Sequence, residues 1–181
     1  MNSGIMDNRP ILVMGICGVG KSTIAKALAD RLGATFIEAD AFHAPEAIAR
    51  MAAGQPLSDD MRWDWLDRLG AAVRSCEGRA VLACSALARV HRDRLRRHAG
   101  PFDIVFLHGD RELIAARMRA RRNHYMPVSL IDSQLATLQP PDPETENALW
   151  IDVALPVDAI LTTALSALEQ PHSLSGGGET R

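Results

Sequence analysis

The string Gly15-Ile16-Cys17-Gly18-Val19-Gly20-Lys21-Ser22 has the form G-x-x-x-x-G-K-[ST], lying between a short apolar run and a stretch with helical spacing. Those flanks are the context in which such a string cradles phosphates. Glycines let successive backbone N–H groups converge on phosphate oxygens, and the N-terminus of the following helix adds partial positive charge. The residues expected to hold a nucleotide are Gly15, Gly18, Val19, Gly20, Lys21, Ser22 and Thr23. Lys21 is expected to act catalytically by reaching the β and γ phosphates, and the Ser22 hydroxyl to ligate Mg²⁺.

Glu38-Ala39-Asp40 follows the second apolar run. No other strand candidate ends in an aspartate of the usual metal-holding kind, since Ala80 to Cys84 leads into Ser85. Glu38 and Asp40 must therefore serve metal and acceptor between them. At i and i+2 of an extended chain their side chains share a face. Glu38 is assigned to the metal and Asp40 to the attacking hydroxyl, although the residues alone leave the two roles interchangeable. Phosphoryl transfer asks mainly for positioning and charge neutralisation, so Asp40 need not be a strong base. His43 could add a polar contact to an acceptor. Arg62 or Arg92 could fork onto a carboxylate or polyol hydroxyls, with a solvated surface role as the competing reading.

Arg117, Arg119, Arg121 and Arg122, followed by Asn123-His124-Tyr125-Met126, form a dense basic segment in a near-neutral chain. A lid that neutralises charge on the transferring phosphoryl group and excludes water would use such a segment. Arg117 and Arg121 share one helix face at i and i+4 and are expected to face the nucleotide, Arg121 catalytically. Arg119 and Arg122 are expected to be solvated.

The elements that must position these residues alternate. Apolar runs at 10–14, Thr35 to Glu38, Ala80 to Cys84, Phe102 to Leu107 and Leu149 to Val153 read as strands. Helical spacing covers Lys21 to Leu32, Ala44 to Ala53, Asp60 to Cys76, Ala88 to His98, Arg111 to Arg122, Val128 to Leu138 and Val157 to Leu168. Short apolar strands separated by helices imply an α/β fold with a five-stranded parallel sheet covered on both faces. Ligands then collect beyond the carboxyl ends of the strands, where the motifs fall. The expected organisation is one domain over residues 1–169. It has a helical insertion at about 43–76, a lid at about 117–138 and a disordered tail at 170–181.

The 181 residues suit a single domain with one well-buried core. Twenty basic against 22 acidic residues leave no overall basic field for nucleic acid or an anionic membrane. Cys17, Cys76 and Cys84 have neither disulfide-framework nor zinc spacing, which fits a reducing cytoplasm. No stretch approaches the roughly 20 apolar residues of a membrane-spanning helix.

The GICGVGKST loop, EADAFHAPEAIARMAAGQPLSDDMRWDWL, ACSALARVHRDRLRR and FLHGDRELIAARMRARRNHYMPVSLIDSQLATLQPP occur in that order. Together they resemble the gluconokinases of the P-loop small-molecule kinases. The G-x-P-L-x-D-D, C-S-A-L and R-x-x-x-R-x-x-H-[FY] pieces make the likeness more specific than the first loop alone. The resemblance implies a P-loop kinase fold, usually a homodimer, that uses ATP and Mg²⁺ to phosphorylate D-gluconate at its 6-hydroxyl. It places the acceptor aspartate on Asp40, a histidine on His43, acceptor-side arginines on Arg62 and Arg92, and lid arginines on Arg117 and Arg121; His124 joins the acceptor-binding set. Departures from the family's pattern stand at Glu38, Ala44, Ala47, Asp64, Ala88 and His91. A kinase for a related sugar acid or polyol is the alternative, and a non-catalytic ATP-binding module a further one.

Overall fold

The computed structural model describes residues 8–53, 55, 57–120 and 129–169. Its chain alternates β1 (Ile11–Met14), α1 (Lys21–Leu32), β2 (Thr35–Glu38), a 3-10 turn (Ala39–Phe42), α2 (Pro45–Ala52) and α3 (Asp59–Arg74). There follow β3 (Ala80–Ala83), α4 (Arg89–Ala99), β4 (Asp103–His108), α5 (Arg111–Ala120), α6 (Ser129–Thr137), β5 (Ala148–Asp152) and α7 (Val157–Leu168). All five strands are parallel, in the order β2-β3-β1-β4-β5.

Alternation along the strands builds the core. Ile11 and Val13 of β1 join Val81, Ala83, Val105 and Leu107 on one face, beneath α1, α5, α6 and α7. Leu12 and Met14 join Leu82, Ile104 and Phe106 on the other, beneath Leu66 and Leu69 of α3 and Leu95 of α4. All four β1 side chains are buried, as a central strand covered on both faces requires. Each such burial is worth about 1.5–3 kcal/mol before the entropy of ordering the chain.

Local chemistry fixes the ends of α1 and α3. Gly33, with φ of 61°, closes α1 and donates its N–H to Ala29, a left-handed cap that glycine adopts at little cost. Ser58 caps α3 by accepting the Met61 N–H. The expected elements are all present, and where both ends lie within the described residues they shift by two residues at most.

The stretch expected as a lid is anchored at both sides. Met118 of α5 is buried and Ile131 of α6 is fully buried in the core. Residues 117–120 and 129–137 are thus packed on the core through these side chains. Residues 121–128, and with them Arg121, Arg122 and His124, lie outside the described residues, as does the tail at 170–181.

Candidate active site

β1, paired on both sides, ends in the loop that turns directly into α1. Gly15 has φ of 144°, and a side chain there would strike the Leu107 carbonyl oxygen. Gly18 has φ of 85°, and a Cβ would stand 2.6 Å from Met118 Cγ. The loop can therefore take this path only with glycine at both positions. Val19 points its side chain into the core, so what it offers a ligand is backbone. Ser22 and Thr23 are exposed on the first turn of α1, while Lys21 is partly buried.

Lys21 Nζ donates to the Ile16 carbonyl at 2.9 Å, across its own loop. Burial lowers its pKa, opposed by the negative charges of the Asp40 and Glu38 carboxylates. Both carboxylates thus lie within electrostatic reach of the ammonium, with the Cys84 and Cys17 thiols also nearby. Cys84, at the end of β3, is fully buried and its thiol is pushed up to about 12 by that burial. It is a protonated wall of the site rather than a nucleophile.

Glu38 ends β2 in extended backbone, whereas Asp40 already lies in the 3-10 turn. The two are therefore not an extended i, i+2 pair sharing a strand face. The turn carries Asp40 out into solvent, its side chain 87% exposed. His43 follows at the end of the turn, with Nε2 3.8 Å from Asp40 Oδ1 and its ring stacked on Trp65 at 4.5 Å between centroids. Trp65 is itself fixed by donating to the Ala39 carbonyl at 2.9 Å. Burial lowers the His43 pKa, with Asp40 opposing and Arg68 assisting. Its Nδ1 is buried without a hydrogen-bond partner among the described residues. Nε2, the ring nitrogen beside the exposed Asp40 carboxylate, is the one placed to meet a ligand hydroxyl.

The arginines divide. Arg62 stays at the rim on the first turn of α3, its Nη1 3.0 Å from Asp59. Arg92 departs from the expected acceptor contact, because its side chain is only 1% exposed and grips Glu146 through Nε at 2.8 Å and Nη2 at 2.9 Å. Its Nη1 donates to the Ala86 and Leu87 carbonyls. Ala86 has φ of 40°, so Arg92 pins the unusual backbone that follows β3. It positions the acceptor-side wall from behind. Burial opposes the Glu146 charge, but the bonds and charge of Arg92, with Arg96 and the Asp142 N–H, outweigh it and hold the carboxyl at about 2. Arg117 donates to the Val153 carbonyl at 2.7 Å, just past β5, which ties α5 to the strand ends where a nucleotide would lie.

Of the expected site residues, the phosphate loop, Glu38, Asp40 and His43 come together, and Arg62 lies at the rim. Trp65, Glu146 and Gln134 stand outside the expected set. Gln134 of α6 accepts the Cys17 N–H of the phosphate loop at 2.7 Å through Oε1. It lies inside the quoted SQLATLQPP string, but helical spacing alone cannot show that a polar position meets a loop more than a hundred residues away.

Oxygen donors suited to a hard divalent cation are at hand in Ser22 and the Glu38 and Asp40 carboxylates. Among the described residues no group of three or more His, Cys, Asp or Glu side chains could hold a metal ion. A site of this kind needs substrate phosphates to complete its coordination, as magnesium sites commonly do.

A family model described as an AAA domain matches residues 11–141. A gluconokinase from Gluconobacter oxydans (strain 621H) is 44% identical over 137 residues, 74% of this chain and 76% of that protein. The thermoresistant gluconokinase of Escherichia coli (strain K12) is 30% identical over 167 residues, covering 91% of this chain and 95% of the relative. Among solved structures, a gluconokinase from Sinorhizobium meliloti 1021 superposes with a TM-score of 0.80 at 44% identity, over 89% of this chain and 91% of that one.

Proposed function

Since the chain belongs to the gluconokinase family of P-loop kinases, we propose that it transfers the terminal phosphoryl group of ATP to the 6-hydroxyl of D-gluconate, giving ADP and 6-phospho-D-gluconate. The observation that carries this reading is the meeting of Lys21, Glu38 and Asp40 at the mouth of the phosphate loop, with His43 on its Trp65 shelf beside them.

The loop amides and Lys21 hold the phosphates. Ser22 and Glu38 would hold Mg²⁺, which neutralises phosphate charge and orients the terminal group when bound. Asp40 accepts a hydrogen bond from the 6-hydroxyl and takes its proton as the oxygen bonds to the γ phosphorus. The bond from that phosphorus to the β–γ bridging oxygen breaks, and ADP leaves. His43, kept neutral by burial, offers Nε2, beside Asp40, to another acceptor hydroxyl. Arg117 supports the nucleotide side, while Arg121 and His124 complete the proposed phosphate- and acceptor-binding sets. A homodimer, as the sequence resemblance implies, and a place in the cytoplasm, which the cysteine usage fits, belong to the same proposal.

A second reading, a kinase for a related sugar acid or polyol, is favoured by the departures at Ala47 and Ala88. The resemblance implies asparagine at position 47, and Ala47, 2% exposed, offers no hydrogen-bonding group there. The test is ADP release with Mg²⁺-ATP across D-gluconate, related sugar acids, shikimate and simple polyols. D-gluconate should give the highest kcat/KM by about tenfold or more. A higher value for another acceptor would replace gluconate while keeping the phosphoryl chemistry.

A further inference from the structure

Lys21 and Gln134 hold the two ends of one peptide group. Lys21 Nζ bonds the Ile16 carbonyl at 2.9 Å, and Gln134 Oε1 accepts the adjoining Cys17 N–H at 2.7 Å. Because a backbone N–H can only donate, the carboxamide oxygen must face Cys17 and the –NH₂ must face away. That nitrogen has no hydrogen-bond partner among the described residues. The same peptide is packed from α5, where Met118 Sδ lies 3.8 Å from Cys17 Sγ and the Met118 side chain covers Gly18. The carboxamide is thus held, one planar peptide away from the ammonium that reaches the terminal phosphates.

We propose that Gln134 is a phosphate-contacting residue: its Oε1 braces the Cys17 amide, and its Nε2–H donates to the γ-phosphoryl group of the bound nucleotide. The contact is to the group that moves, so it serves the transfer as well as binding. It rests on the ATP-kinase reading above, but not on which acceptor is used.

Two variants separate the brace from the donor. Q134E keeps an oxygen for the Cys17 N–H but replaces the donor with an anion, and Q134A removes both. Calorimetry would measure affinity for a non-hydrolysable ATP analogue and for ADP, each with Mg²⁺, alongside thermal unfolding and steady-state kinetics. The expected result for Q134E is an unfolding midpoint near that of the wild type and unchanged ADP affinity, with affinity for the ATP analogue and kcat both down about 10- to 100-fold. Q134A should show a smaller loss specific to the ATP analogue, because it adds no repulsion. Equal losses for ADP and the analogue, or a Q134E enzyme matching the wild type, would overturn the proposal and leave Gln134 a brace of the loop. Wild-type protein that binds neither nucleotide would overturn the kinase reading as well. Wild-type binding without gluconate turnover would count against the acceptor alone, with the ATP-to-ADP ratio still deciding the role of Gln134.

Discussion

Glu38 and Asp40 are separated by the start of a 3-10 turn, and that backbone change gives them different surroundings. Glu38 remains at the mouth of the sheet, near Lys21, while Asp40 is carried outward beside His43. Asp40→Asn should lower kcat by about 10²–10⁴ with little change in the Mg²⁺ concentration needed for half-maximal rate. Glu38→Gln should raise that concentration; a magnesium titration in which only the Asp40 variant shifts would reverse the two roles. Residue types and spacing make Lys21, Ser22, Glu38 and Asp40 legible, since a phosphate loop and a strand-end carboxylate are local features. The His43–Trp65 stack is not legible, because it joins the 3-10 turn to a helix that returns over it. Arg92 escapes the sequence for a related reason: its partner Glu146 lies 54 positions on, and an arginine's burial cannot be seen in its neighbours along the chain.

Helix α4 is bound to the segment before β5 by a carboxylate shared between two arginines. Arg92 and Arg96 both reach Glu146, and Arg92 also holds the Ala86 and Leu87 carbonyls of the C-S-A-L turn. Removing one partner leaves a buried charge, so Arg92→Met should cost about 3–5 kcal/mol in urea unfolding. Arg92→Met combined with Glu146→Leu should recover a substantial part of that loss, because the carboxylate left without its main partner is then gone as well. A double variant no more stable than the single one would show that Arg92 acts chiefly through the Ala86 and Leu87 carbonyls. The elements themselves are readable from hydrophobic period, glycine and proline. The extent of the lid is not, since a basic amphipathic stretch looks the same whether its apolar side closes over a site or packs on the core, as Met118 and Ile131 do here.

The response of the protein to acid follows from groups whose folded pKa values lie below their ordinary ones. His43 and His91 are lowered, in each case chiefly by burial. The unfolded chain therefore takes up protons first as pH falls below about 6.5, and stability declines. Glu146 adds a second stage of the same sign, because its carboxyl sits at about 2 when folded against 4.5 ordinarily. Its contribution is complete above 4.5 and is lost as pH falls toward 2. The stability gap between the wild type and Glu146→Gln, read from urea midpoints, should be widest near about pH 6 and narrow from about 4.5 downward; a constant gap would remove Glu146 from the acid transition. The strand order carries a consequence for synthesis. β1 has β3 and β4 as its neighbours, and β2 pairs only with β3. A nascent chain that has already presented its entire phosphate-binding string thus has no partner strand for β1 until residues 80–83 emerge, and no second one until 103–108. The nucleotide cradle is encoded early and assembled late, so a ribosome-bound amino-terminal fragment carries the motif without the site.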